Sequence, residues 1–146
     1  MVRPIELYSN WLFDMNEKGK DLFEKLYNKI MELDGVYPEP QEKSGHITFK
    51  LPRKDRKKGS RFCCIHPASV PHSLKEGRDR GTSMIMHLNN RSNRLIDKGN
   101  LVLKYTKFDN KSSGYAEISI CSEREIDKAM ELIKQCYAFL RRDIGD

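Results

Sequence analysis

Residues 50–61, KLPRKDRKKGSR, hold seven cations, Lys50, Arg53, Lys54, Arg56, Lys57, Lys58 and Arg61, against one acid, Asp55. Clustered lysines and arginines bind phosphate, and each neutralised phosphate releases counterions, so this set suits roughly 3–5 phosphates. The whole chain carries 27 basic and 21 acidic residues, a net charge of +6. The stretch alone accounts for +6, and the remaining 20 basic and 20 acidic residues cancel. The basic character is therefore local. Two later segments, EGRDRG with Arg78 and Arg80 and NNRSNR with Arg91 and Arg94, extend the patch if they leave the fold at the same edge. Asn89, Asn90, Ser92 and Asn93 add hydrogen-bonding groups for phosphates or base edges. No aromatic residue interleaves with these cations, which counts against a stacking platform for single strands. Two other readings compete: a solvated turn whose charges guard sheet edges from aggregation, and a grip on an acidic protein.

Cysteine and histidine supply the second group. Cys63 and Cys64 precede His66, and His72 follows the PASVP segment. The Cys63-x-x-His66 spacing looks like half of a metal site, but structural zinc takes four ligands as two close pairs. The second pair would have to come from His46, His87 or Cys121, and no local spacing demands it. On a strand, Cys64 and His66 share a face while Cys63 and His66 do not. The expectation is no metal and no cofactor. A cysteine nucleophile needs a base and a group that orients the base. Cys63 or Cys64 with His66 or His87 is the candidate pair, with no Gly-rich oxyanion loop beside it. A metal-dependent nuclease needs clustered carboxylates near a lysine. Glu117 is the only strand carboxylate, with Lys104 on the neighbouring strand and Asp97 and Asp109 in flanking loops. No phosphate-cradling glycine loop is present. No catalytic residue is expected. Cys121 and Cys136 complete the cysteines, and the spacing is not that of a disulfide framework, so reduced, buried thiols are expected.

The elements that must position these groups follow from periodicity. Residues 1–15 mix Pro4 with Ile5, Leu7, Tyr8, Trp11, Leu12 and Phe13 and read as an arm on the domain. Asn16 caps a helix to about Leu33, whose apolar residues Leu22, Phe23, Leu26, Tyr27 and Ile30 recur at three and four, and Gly35 closes it. YPEPQEKSG reads as a Pro-stiffened loop. HITFKL alternates as a half-buried strand, and RFCCIH, SMIMHL, NLVLKYTKF and GYAEISICS give four more. No helix separates them, so antiparallel pairing is expected. Ser122 and Glu125 form a capping box before a helix with Ile126, Ala129, Met130, Ile133, Tyr137 and Leu140 on one face. Arg141 and Arg142 sit in its last turn, where the dipole favours cations.

The 146 residues suit one α+β domain over residues 16–146, an antiparallel sheet of about five strands packed against N- and C-terminal helices. No run approaches the roughly 20 apolar residues of a membrane span, and the start lacks a signal peptide's apolar core. A soluble, cytoplasmic protein is expected.

LFEKLYNKIMELDG, ITFK, RFCCIHP and GYAEISICSEREIDKAMELIKQCY together span about Lys20 to Leu140. In these words the chain resembles a family of small bacterial domains of unknown function labelled "predicted transport protein". The last word is the most specific, with Gly114, the 115–121 strand, Ser122, Leu132, Ile133, Gln135 and Tyr137. NKSSGY stands where that family carries His-Trp-Gly. Some members are joined to restriction-endonuclease-like domains, and a more distant similarity is to double-wing DNA-binding α+β domains. The resemblance implies a non-catalytic nucleic-acid-binding or accessory module in a restriction or defence setting. The alternatives are a homodimeric or other protein-interaction module and, third, a Cys–His enzyme.

Overall fold

The chain enters through a short helix, α1 (Pro4–Leu7), and a 3-10 turn (Ser9–Trp11). This arm is anchored: Tyr8, Leu12 and Met15 are buried in the main core, and the Tyr8 and Tyr27 hydroxyls lie 3.1 Å apart. The structure, a computed structural model, describes residues 3–12, 15–41, 45–55, 59–67, 81–90, 94–106 and 114–144.

Helix α2 (Glu17–Met31) starts where expected. The Asn16 side-chain oxygen accepts the Gly19 N–H at 2.8 Å, satisfying a donor the first turn leaves open. Leu22, Phe23, Leu26, Tyr27 and Ile30 form its buried stripe. Gly35, at φ +79°, turns the chain into the sheet, a conformation that favours glycine.

The strands are β1 (Tyr37–Gln41), β2 (His46–Leu51), β3 (Ser60–His66), β4 (Met84–Asn89), β5 (Val102–Thr106) and β6 (Tyr115–Ile120). They form one sheet in the order β1-β2-β3-β4-β6-β5, with every neighbouring pair antiparallel. The sheet thus has one strand more than sequence predicts. YPEPQ, expected as loop, is an edge strand. Its prolines, 38 and 40, are alternate residues, so their missing N–H groups fall on one side of the strand, and an edge tolerates this.

Helix α3 (Glu123–Asp143) closes the domain. Ser122 Oγ accepts the Glu125 N–H at 3.2 Å, and Glu125 Oε1 accepts the Cys121 N–H at 2.9 Å, so the box reaches one residue further back than its usual form. At the far end, Tyr137 Oη donates to the Asp34 carbonyl at 2.6 Å and Arg141 Nη1 donates to it at 3.3 Å. Lys25 of α2 pairs with Glu123. Both helices contribute to one core with Ile47, Phe49, Phe62, Ile65, Met86 and Ile118 from the sheet. Among the described residues, no helix is long and apolar enough to cross a membrane. All four cysteines are free thiols.

Candidate functional site

The basic stretch begins in β2 and ends in β3, and the β2–β3 connection is a hairpin as expected. Its described cations differ in availability. Lys50 Nζ lies 2.9 Å from Glu39 Oε1 of β1, and its side chain is only 12% exposed. Arg53 clamps the turn: it donates to Asp55 at 2.9 and 3.2 Å and to Ser60 Oγ at 3.2 Å. Lys54 and Arg61 are exposed. Arg94 stacks over Phe139 at 4.3 Å, with Asp143 3.9 Å away. Arg56, Lys57, Lys58, Arg78, Arg80 and Arg91 lie outside the described residues.

The register decides which connections share an end of the sheet. β3 starts where β4 ends, and Asn89 Nδ2 donates to the Arg61 carbonyl at 3.3 Å. The connection carrying Arg91 and Arg94 therefore departs from the hairpin end. The connection carrying Arg78 and Arg80 is anchored at the opposite end, where β3 finishes at His66 and β4 begins at Met84. The last turn of α3 also reaches the hairpin end: a Cβ on Gly35 would lie 3.6 Å from both Arg141 Nη1 and Leu51 Cδ2. Sequence reasoning treated Arg141 and Arg142 as dipole partners only, because nothing local reveals where a helix ends in space.

The second site arises from a bulge. Phe49 pairs with Cys63 and Lys50 with Arg61, so Phe62 is an extra residue on β3. Phe62 and Cys63 consequently both join the helix-covered core, with Phe62 edge-on to Tyr137. Arg61, Cys64 and His66 belong to the opposite face. There the register aligns Thr48, Cys64, His87, Glu117 and Lys104 in one row across five strands. Cys64 Sγ is 3.5 Å from His66 Nε2. His87 Nε2 is 2.9 Å from Glu117 Oε1; a carboxylate oxygen accepts, so the ring presents Nε2–H to it. The His66 ring lies 4.7 Å from His46 and 4.6 Å from His87, and His87 stacks on Tyr115 at 4.2 Å. Three of the chain's four histidines thus form a run of neighbouring rings, two of which, His66 and His87, adjoin Cys64. A hollow of about 120 Å³ beside the row is lined by Arg61, Cys64, His87, Asn89 and Tyr115, among others.

The middle of this face is buried too. Glu117 is 6% exposed and Cys64 5%. Burial pushes the Cys64 thiol up to about 11, although the Arg61 charge and a backbone hydrogen bond at His87 pull the other way. Burial, aided by the neighbouring His87 and His46, pushes the His66 imidazolium down to about 3. At neutral pH the pair is a thiol and a neutral imidazole, which is not the thiolate–imidazolium state of an activated nucleophile. Glu117 and Lys104 face each other across the β5–β6 register. Glu117 is not the only strand carboxylate, because β1 adds Glu39 opposite Thr48 at the far end of the row, but Glu39 is four strands from Glu117 and pairs with Lys50, so the two do not form a clustered carboxylate site. What the cluster does offer is one sulfur and two ring nitrogens that converge: the donor atoms of Cys64, His66 and His87 lie within 4.8 Å of one another. Sequence reasoning placed Cys64 and His66 on one face but had no way to bring His87 opposite Cys64.

The chain matches no protein-family model, and no curated protein and no solved structure shows significant similarity to it.

Proposed function

We propose that the chain is a non-catalytic nucleic-acid-binding or accessory module that grips phosphates at the hairpin end of its sheet. The observation that carries this reading is the concentration of the entire net charge, +6, in residues 50–61. Those residues straddle one hairpin, and the 90–94 connection and the last turn of α3 come to the same end. Lys50 and Arg53 are committed to Glu39 and Asp55, so they brace the hairpin. Lys54, Arg56, Lys57, Lys58 and Arg61 are the cations assigned to phosphate. A restriction or defence setting is what the resemblance of the sequence words to small bacterial domains that accompany nuclease-like ones supports. The elevated thiol of Cys64 weighs against the Cys–His enzyme.

A sedimentation titration with duplex and single-stranded DNA and RNA at two salt concentrations tests the reading. Binding is expected at about 50 mM salt, with log K falling by about 2.7–4.5 per unit of log salt on duplex DNA. Changing Lys54, Arg56, Lys57 and Lys58 together to Glu should abolish it. No binding at about 50 mM salt, or binding unchanged by the four substitutions, overturns it. The same runs give the mass of the free chain. Leu103 and Tyr105 are exposed on the edge strand β5, which favours homodimerisation as the second reading, and a dimer without nucleic-acid binding would replace the first by it.

A further inference from the structure

We propose that Cys64, His66 and His87 form a binding site for a borderline-soft divalent transition metal, Zn²⁺ being the natural occupant, with the Glu117 carboxylate supporting His87. This centre is separate from the phosphate grip and stands or falls independently of it.

Zinc binds thiolate sulfur at about 2.3 Å and imidazole nitrogen at about 2.0–2.1 Å in tetrahedral geometry, which separates the two ligand atoms by about 3.5 Å. Cys64 Sγ and His66 Nε2 are 3.5 Å apart. The third donor comes from the next strand: His87 is the direct cross-strand partner of Cys64, and the three ligand atoms fall within 4.8 Å of one another. Closing the set requires the third atom to draw in from within 4.8 Å to about 3.5 Å of the other two. All three backbones belong to the interior strands β3 and β4, so the frame is rigid.

The surroundings match what such a set requires. Ligating histidines commonly give their other ring nitrogen to a carboxylate, which fixes the ring and raises its basicity. His87 has that partner in the buried Glu117, at 2.9 Å. The ligand chemistry of one thiolate and two imidazoles selects zinc or a similar ion over calcium or magnesium, which take oxygen donors. The hollow borders two of the three ligands, Cys64 and His87, together with Arg61 and Asn89, and leaves room beside them for a fourth, non-protein ligand. Binding converts the Cys64 thiol to a metal-bound thiolate and releases one proton to solvent; nothing is oxidised or reduced.

The test uses the full chain, stripped with chelator and titrated with Co²⁺ and then Zn²⁺. The expected result is one Co²⁺ per chain, with intense tetrahedral d–d absorption and a sulfur-to-cobalt charge-transfer band, both displaced by Zn²⁺. Cys64→Ser should lose the charge-transfer band, whereas Cys63→Ser, on the helix-covered side, should keep it. His66→Asn and His87→Asn should each weaken Zn²⁺ binding by at least tenfold, and Glu117→Gln by about 10–100-fold. Absence of a charge-transfer band in the parent chain, or its survival in Cys64→Ser, overturns the site. Should Cys64→Ser fail to fold, the histidine variants decide: unchanged affinity in both overturns the proposal, and loss in both upholds it.

Discussion

On one side of the sheet, Ile47, Phe49, Ile65, Met86 and Ile118 meet α2 and α3 in an apolar core; on the other, Thr48, Cys64, His66, His87 and Glu117 are drawn together. Both faces are largely removed from water, and the same desolvation has opposite consequences on them. For the apolar side it is the driving force, since each buried side chain stabilises the fold by a few kcal/mol. For the polar side it is a cost, met by pairing: His87 with Glu117, Cys64 with His66, and His66 with two flanking rings. A row of partnered polar groups across the middle of a sheet adds little to stability that apolar residues would not supply better. Its presence beside an otherwise well-formed apolar core is what motivates the metal-site proposal.

The sharpest way to break this contrast is to cut each face in turn along one strand. Phe49 is fully buried and packs edge-on to Tyr27 at 5.6 Å. Phe49→Ala should cost about 3–5 kcal/mol in chemical denaturation. Its neighbour Thr48, on the polar face, should cost about 1 kcal/mol on change to Ala. Equal costs would show that the two faces are energetically alike.

Acid should single out the polar face. His66 is held at about 3 in the fold, against 6.5 for a free imidazole, and His46 is lowered as well, chiefly by burial. Between these values the unfolded chain binds more protons than the folded one. Stability is therefore fully present above about pH 6.5 and declines as pH falls toward 3, by an amount on the order of a few kcal/mol. Denaturant midpoints measured in chelator from neutral to acid pH check this. Carboxylates elsewhere contribute to any acid slope, so the informative quantity is the difference from His66→Gln, which should be less acid-sensitive than the parent. Parallel curves would remove His66 as the cause.

Much of the architecture was legible because its signals are local. The Asn16 and Ser122 caps, the helical stripes and the alternation of Ile47, Phe49 and Leu51 each lie within a few residues. What escaped depends on pairing between distant segments. β1 was hidden by Pro38 and Pro40, and with it went the fate of Lys50, whose ion-pair partner Glu39 lies on that strand. The alternation rule correctly separated Cys63 from the His66 face, but it could not show that a bulge at Phe62 is what admits both Phe62 and Cys63 to the core. His87 meets Cys64 only through the β3–β4 register, and Glu117 meets His87 only through the β4–β6 crossover. The cluster is thus a product of topology, with only the Cys64-x-His66 half written into contiguous sequence.

The finest probe of the two faces is the pair of adjacent cysteines that the bulge divides. Cys63 joins the helix-side core, where burial and the nearby Cys136 and Cys64 sulfurs push its thiol far up. Serine there would place a hydroxyl among apolar side chains, at a cost of about 1–3 kcal/mol. Cys64 differs: its sulfur already sits at hydrogen-bond range of His66 Nε2, and the backbone of His87 contributes another bond. Serine at 64 inherits both partners, so in the metal-free chain Cys64→Ser should cost less than about 1 kcal/mol. Denaturation of the two variants in chelator measures the difference, and the reverse order of cost would mean that the sheet does not separate these sulfurs in the way the bulge implies. Adding Zn²⁺ sharpens the comparison, because a metal held through Cys64 should stabilise the parent and Cys63→Ser and leave Cys64→Ser nearly unmoved.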